Sequence, residues 1–173
     1  MPQALSLKAR AVALLSRREH SRLELSRKLA PHSEDTDALE RLLDDLVREG
    51  WLSDERFAQS LLHRRSATRG TARILNELRQ SGVPDAAIAQ ARDELQGTEF
   101  ERAQAVWKKK FGTLASSVAC DAHESPDLGD SAAQAQSRRA AYARQARFLA
   151  SRGFGHDVIA RVLDQRMDDY DVD

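Results

Sequence analysis

The side chains of this chain best suited to chemistry are its cations, and they fall into four clusters. Arg17, Arg18 and Arg22 lie between two helical segments. Arg64, Arg65, Arg69 and Arg73 straddle a turn. Lys108, Lys109 and Lys110 run consecutively between Trp107 and Phe111, and Arg138 and Arg139 open the last stretch of helical pattern. A guanidinium presents a planar fork of donors and an ammonium a compact charge, so such clusters suit phosphates or an acidic protein surface. The plainer alternative for each is a solvated helix face whose ion pairs contribute little. Successive residues on a helix point about 100° apart, so at least two of the three lysines must be exposed. Trp107 and Phe111, four apart on one helical face, read as core rather than as a platform for stacking bases.

Nothing else assembles into a reactive site. The five histidines, His20, His32, His63, His123 and His156, do not pair at metal-ligand spacing, and no glycine-rich phosphate loop is present. Asp44-Asp45 and Asp168-Asp169 are adjacent in helical or frayed segments, so their carboxylates diverge instead of sharing a proton. The expectation is a protein without catalysis, metal or cofactor. Cys120 is the single cysteine and forbids an internal disulfide, which fits a reducing cytoplasm. The apolar run Ala11–Leu15 is too short for a membrane span. Aromatic residues make up only 5% of the chain, which limits any large aromatic-lined pocket.

The elements that position the cations are helical throughout. Ala, Leu, Arg, Glu and Gln dominate and β-branched residues are few, so the fold class is all-α. Apolar spacing marks helices over Ala4–Arg17, Ser21–Leu29 (closed by Pro31) and Thr36–Glu49, the last capped by Thr36 and stopped by Gly50. Its apolar face is Leu39, Leu42, Leu43, Leu46 and Val47. Ser53 caps the next helix through Phe57, Leu61 and Leu62. After the turn Arg69-Gly70-Thr71 come Ala72–Gln80, ending at Gly82, and Asp85–Leu95, with Pro84 where a first turn tolerates it. Thr98-Glu99-Phe100-Glu101 has the form of a capping box opening a helix that ends near Gly112. Ala115–Gln136 is small, polar and turn-rich and reads mostly as a surface loop. Helical pattern resumes near Arg138, stops at Gly153, and returns over Asp157–Arg166 before an acidic tail.

These helices repeat. Arg73–Leu95 overlays Arg144–Arg166 without a gap at an offset of 71, with Leu78 on Leu149, Gly82 on Gly153 and Ile88 on Ile159. At an offset of 49, Leu29, Leu39 and Leu42 fall on Leu78, Ile88 and Ala91. The offsets differ by 71 − 49 = 22 residues, about the length of the irregular stretch. The chain therefore reads as three tandem three-helix repeats, over residues 1–52, 53–97 and 98–167. The third carries an insertion near 115–136, and residues 168–173 form the tail. Such arrays are elongated and curved and offer extended contact surfaces rather than pockets.

Net charge is zero, 27 basic against 27 acidic, which lacks the global excess of a strong non-specific nucleic-acid binder. The middle of the chain, 51–112, carries 11 basic and 8 acidic residues, and 113–173 carries 7 and 10. Local basic faces are thus compatible with a neutral whole. Ser21–Leu52 also has the outline of a winged-helix DNA reader, the alternative reading, in which the chain is a DNA-binding transcription regulator. A wing would need alternating β residues, and Ser53-Asp54-Glu55-Arg56 instead starts a helix. Trp51, between Gly50 and Leu52, reads as a core plug under a turn.

Gly50–Val83, GWLSDERFAQSLLHRRSATRGTARILNELRQSGV, resembles the central signature of the RecX family of bacterial recombination regulators. Arg147–Asp164, RFLASRGFGHDVIARVLD, is similar to that family's C-terminal unit, and Ser21–Leu29, SRLELSRKL, to its N-terminal element. The resemblance implies tandem three-helix repeats and a non-enzymatic partner of the RecA recombinase. Such a partner binds within the helical groove of the RecA–DNA filament and inhibits its ATPase and strand-exchange activities. It further implies binding to RecA monomers or weakly to DNA in some members, with no membrane partner. A cytoplasmic monomer is expected. The long 115–136 stretch and the acidic tail depart from the family pattern.

Overall fold

The computed structural model describes the backbone of residues 6–118 and 131–168, and side chains over 6–112 and 133–165. Among the described residues every regular element is helical: α1 Leu7–Leu15, α2 Arg22–Leu29 followed by a 3-10 turn Ala30–His32, α3 Thr36–Arg48, α4 Asp54–Arg65, α5 Thr71–Gln80, α6 Asp85–Gln96, α7 Glu99–Val118, α8 Ser131–Ser151 and α9 His156–Asp168. The all-α expectation holds.

Local chemistry sets most of the boundaries. The Ser6, Ser21 and Ser53 hydroxyls accept from the backbone N–H three residues on, at 3.2, 3.1 and 3.2 Å. Gly50, Gly82 and Gly153 each take a left-handed backbone, with φ of 76°, 72° and 87°, and end α3, α5 and α8 as the sequence indicates. The cap of α3 is Asp35 rather than Thr36. Its carboxylate accepts from Asp37 N–H at 2.8 Å.

Two helices are longer than their apolar stripes suggest. α7 passes through Gly112 to Val118, and α8 starts at Ser131 rather than near Arg138. A single glycine costs a helix interior only about 1 kcal/mol, and the Ala, Ser and Gln of the α8 extension suit a helix without needing an apolar face. The remainder of the expected loop, 119–130, with Cys120, lies outside the described residues, as do 169–173 of the tail.

The molecule divides into two compact units, Met1–Arg64 with Leu75–Asp93, and Arg65–Ile74 with Glu94–Asp173. In the first, Ala11, Leu25, Leu29, Leu39, Leu43, Leu46 and Leu52 form one buried cluster. In the second, Trp107, Phe111, Leu149, Phe154, Val158 and Val162 anchor another. Each fully buried aliphatic or aromatic side chain contributes about 1.5–3 kcal/mol. Trp107 is 3% exposed and donates its Nε1–H to Gln145 Oε1 at 2.9 Å. Phe111 meets Phe148 edge-on, with centroids 5.1 Å apart. Both aromatics are core, as their spacing indicates. Val47 and Trp51 are not: each is 48% exposed, because no described helix covers the C-terminal end of α3 on that side. The reading of Trp51 as a buried plug is therefore corrected.

Candidate functional site

The first cationic cluster is largely neutralised. Arg18 donates to Glu24 through both Nη atoms and to the Glu19 carbonyl at 3.0 Å. Its ion pair with Glu24 raises its already high pKa. Arg22 lies between Glu40 and Asp44, each 2.7 Å from a guanidinium nitrogen. Desolvation is the largest influence on Arg22 and opposes its charge, but the two carboxylates together outweigh it and raise its pKa. Only Arg17 of this cluster is plainly exposed. Next to it His20 is 3% exposed, with Nδ1 placed 3.0 Å from the Arg18 carbonyl. A carbonyl only accepts, so Nδ1 carries the proton in the neutral ring. Burial is the main cause that lowers the His20 pKa.

The second cluster surrounds a turn whose backbone is heavily engaged. Gly70 N–H donates to the Arg152 carbonyl at 2.9 Å, and Ala72 N–H to the Gly153 carbonyl at 3.2 Å. Arg73 reaches the Ser151 carbonyl at 2.9 Å. Thr71 N–H donates to Glu99 Oε1 at 3.1 Å, and the same oxygen lies 3.4 Å from Gly155 N. One carboxylate thus meets the N-terminal ends of both α5 and α9 while opening α7, a placement that three helix dipoles favour. Arg64 donates to the Ser60 carbonyl within its own helix at 3.1 Å, and Arg65 and Arg69 also take part in interactions. The start of α5 is a packed turn as well as a basic one.

Sequence reasoning overlooked the residue that grips this turn, Arg102. Its guanidinium donates to the carbonyls of Arg69 (2.8 Å), Leu95 (3.0 Å) and Ser66 (3.3 Å), and to the hydroxyls of Thr71 (3.1 Å) and Thr98 (3.2 Å). Burial pulls its pKa below the usual arginine value, with Glu99 opposing. The Thr98 hydroxyl, engaged by Arg102 and turned back on the Leu95 carbonyl at 3.4 Å, does not form the capping box its spacing suggests. Four residues separate Thr98 from Arg102, an unremarkable helical spacing, so no sequence signal distinguished this arginine from a surface one.

The last two clusters are different. Lys108, Lys109 and Lys110 on α7 and Arg138 and Arg139 on α8 are all exposed. None takes part in the ion pairs formed among the described residues. Between Arg102 and Val118, and again along all of α8, the sequence contains no carboxylate, while α8 also carries Arg144 and Arg147. Tyr142, 40% exposed, lies among them. These stretches of α7 and α8 are thus cationic in sequence, and their cations are exposed, inside a chain of zero net charge.

No set of three or more His, Cys, Asp or Glu among the described residues could hold a metal ion. An open groove in the first unit is lined by Glu19, Glu55, Arg56, Gln59, Ala87 and Ala91. Glu19 is committed to Arg56 at 2.9 Å there, so no carboxylate pair is free to share a proton. No described helix is long and apolar enough to cross a membrane. The segment after Trp51 where a wing would lie is helix α4.

Comparison with known proteins agrees with this architecture. Residues 53–91 match the family model for the second three-helix domain of RecX, and residues 131–163 match that for the third. The chain is 43% identical over 172 residues to the regulatory protein RecX of Ralstonia nicotianae, covering 98% of this chain and 95% of that one. It is likewise 43% identical to the regulatory protein RecX of Leptothrix cholodnii, covering 98% and 93%. The crystal structure of RecX from Lactobacillus salivarius superimposes with a TM-score of 0.69 at 18% identity over 92% of this chain and 93% of that one, a likeness of fold. With full-length identity of this order and the three-helix domains in place, the chain belongs to the RecX family of regulatory proteins.

Proposed function

We propose that this chain is a non-enzymatic regulator of the RecA recombinase that binds in the groove of the recombinase filament and inhibits its ATPase and strand-exchange activities. In this reading three three-helix repeats, over 1–52, 53–97 and 98–167, present their faces to successive parts of a partner that itself repeats. The observation that carries it is that α7 beyond Arg102 and the whole of α8 contain no carboxylate in sequence, while Lys108, Lys109, Lys110, Arg138 and Arg139 stand exposed and without described carboxylate partners. Cations of this kind are attracted to acidic protein or phosphate, and the neutrality of the whole chain keeps sequence-blind binding to DNA weak. Arg18 and Arg22, already paired, contribute to folding instead. The protein acts in the cytoplasm, as a monomer, without a cofactor. A ligand shifts an equilibrium only by its differential affinity for the two states, so inhibition requires tighter binding to one filament state than to the one that cycles.

The test is a titration of recombinase ATPase on single-stranded DNA. Inhibition is expected at stoichiometric protein, and Glu at positions 108, 109, 110, 138 and 139 together should weaken it at least ~10-fold without loss of helicity. Absence of inhibition by the wild-type chain would refute the proposal. Inhibition unchanged by the five substitutions would move the contact to another face.

A further inference from the structure

Both compact units contain a corresponding contact to a turn carbonyl, made by positions that the sequence repeat renders equivalent, with a side-chain hydroxyl as donor in one and a backbone N–H in the other. In the first unit the Ser21 hydroxyl, at the start of α2, donates to the Ser81 carbonyl at the end of α5, 2.6 Å away. In the second, Gly70 N–H, at the start of α5, donates to the Arg152 carbonyl at the end of α8, 2.9 Å away. Position 70 is 21 + 49 and position 152 is 81 + 71, the offsets of the repeat itself. The next residue in each turn is a glycine at positive φ, Gly82 and Gly153. A Cβ on Gly82 would lie 2.9 Å from the Leu23 side chain, and one on Gly153 would lie 2.5 Å from the Arg73 Cβ and 2.8 Å from its backbone nitrogen.

A second part of the contact repeats as well. Arg22 N–H, one residue after Ser21, donates to Asp54 Oδ1 at 2.8 Å, and Thr71 N–H, one residue after Gly70, donates to Glu99 Oε1 at 3.1 Å. Asp54 is the first residue of α4 and Glu99 the first residue of α7. A third part follows the same plan. Arg56 of α4 donates to the Gly50 and Trp51 carbonyls after α3 at 2.9 and 3.1 Å, and Arg102 of α7 donates to the Leu95 carbonyl near the end of α6 at 3.0 Å.

Elsewhere the parts are missing. Position 33, which the offset of 49 places on Gly82, is Ser33 with φ −117°. Position 142, which the offset of 71 places on Thr71, is Tyr142 inside α8, eleven residues after that helix begins, where ordinary helical bonds serve its N–H.

We propose that this three-part contact is the coupling element between consecutive repeats. The acid that opens a repeat's first helix, Asp54 or Glu99, holds the first N–H of the preceding repeat's middle helix. A glycine turn at the end of its own middle helix supplies the carbonyl on which that preceding helix is seated. Asp54 and Glu99 are positioning residues that set the register of one repeat on the next. The inference rests on the threefold division above and not on the identity of the partner.

The first N–H groups of a helix have no intrahelical acceptor, so exchange of the Arg22 and Thr71 amides reports each junction separately. Residue-resolved amide hydrogen exchange on the full chain tests this. Glu99→Ala is expected to accelerate Thr71 on the order of tenfold or more and leave Arg22 unchanged, with Asp54→Ala doing the reverse. Glu99→Gln, which retains an acceptor oxygen, should restore most of the Thr71 protection and serves if the alanine variant does not fold. Acceleration of both amides by either substitution alone would mark a general loss of stability and overturn the proposal. So would acceleration of neither, or failure of Gln to protect better than Ala. Recombinase is not involved, so the outcome is independent of the filament assay.

Discussion

Two glycines separate backbone strain from steric contact, and Gly70 is the sharper case. Gly50 has φ 76°, and a Cβ there would meet nothing within 4 Å. Gly50→Ala should therefore carry only the left-handed cost of about 1–2 kcal/mol, reduced by the lower entropy of the unfolded alanine chain, for a net near ~1 kcal/mol. Gly70 needs no left-handed backbone, yet its Cβ would fall 2.2 Å from the Gly153 carbonyl carbon and oxygen and from Phe154 N. These are backbone atoms, so no rotamer change relieves the overlap. The turn has to withdraw by about 1 Å or more to reach ordinary contact distance. That movement breaks the bonds from Gly70 to Arg152 and from Ala72 to Gly153, each worth about 1–3 kcal/mol when a partially buried group is left unpaired. Gly70→Ala is expected to cost at least ~3 kcal/mol, clearly more than Gly50→Ala. Urea unfolding followed by far-ultraviolet circular dichroism measures both. Equal or reversed costs would refute the argument that the turn is a packed junction rather than a surface loop bearing arginines.

Other consequences follow from the same contacts. His20 titrates below its unfolded value because burial disfavours its charged form. The unfolded chain then takes up the proton first as pH falls, so His20's contribution is whole above about pH 6.5 and declines below it. The unfolding midpoint should drop between pH 7.5 and 5.5, less steeply in His20→Asn, whose amide can still donate to the Arg18 carbonyl; an identical slope would count against the assignment. Arg102→Lys keeps the charge but not the planar fork, and a loss of about 2 kcal/mol or more in urea is expected, with a loss under ~0.5 kcal/mol contradicting the bonding described. Leu149→Ala in the second core should cost about 3 kcal/mol, whereas half-exposed Trp51→Ala should stay near or below ~1 kcal/mol. A Trp51 cost matching that of Leu149 would show it to be buried after all.

Much of the helical layout was legible in the residues, because helix formation is governed by neighbours a few positions apart. Glycine at positive φ ended α3, α5 and α8 where the pattern placed them, and Ser53 capped α4. The repeat offsets of 49 and 71 were also in the sequence, since equivalent core positions need similar side chains. Spacing did mislead where a competing local partner existed: Asp35 outbid Thr36 for the cap of α3, and Arg102 drew the Thr98 hydroxyl away from its capping box. The ends of α7 and α8 escaped notice because Ala, Ser and Gln sustain a helix without an apolar stripe to reveal it.

Which cations are available was settled only in three dimensions. Arg22 and Lys108 look alike in sequence, but Glu40 and Asp44 arrive beside the first from a different helix, and no described carboxylate arrives beside the second. Glu99 serves the starts of α5 and α9, 28 and 56 residues away in the chain, and no local pattern encodes that meeting. Trp51 is half exposed for the same kind of reason: periodicity marks a face as apolar, but burial requires another helix to cover it. The sequence by itself thus determined the helices, their glycine ends and their threefold recurrence, which depend on short-range sterics and hydrogen bonding. The tertiary structure decided which charges are paired within the fold and which stand exposed, because that depends on what each helix finds beside it after folding.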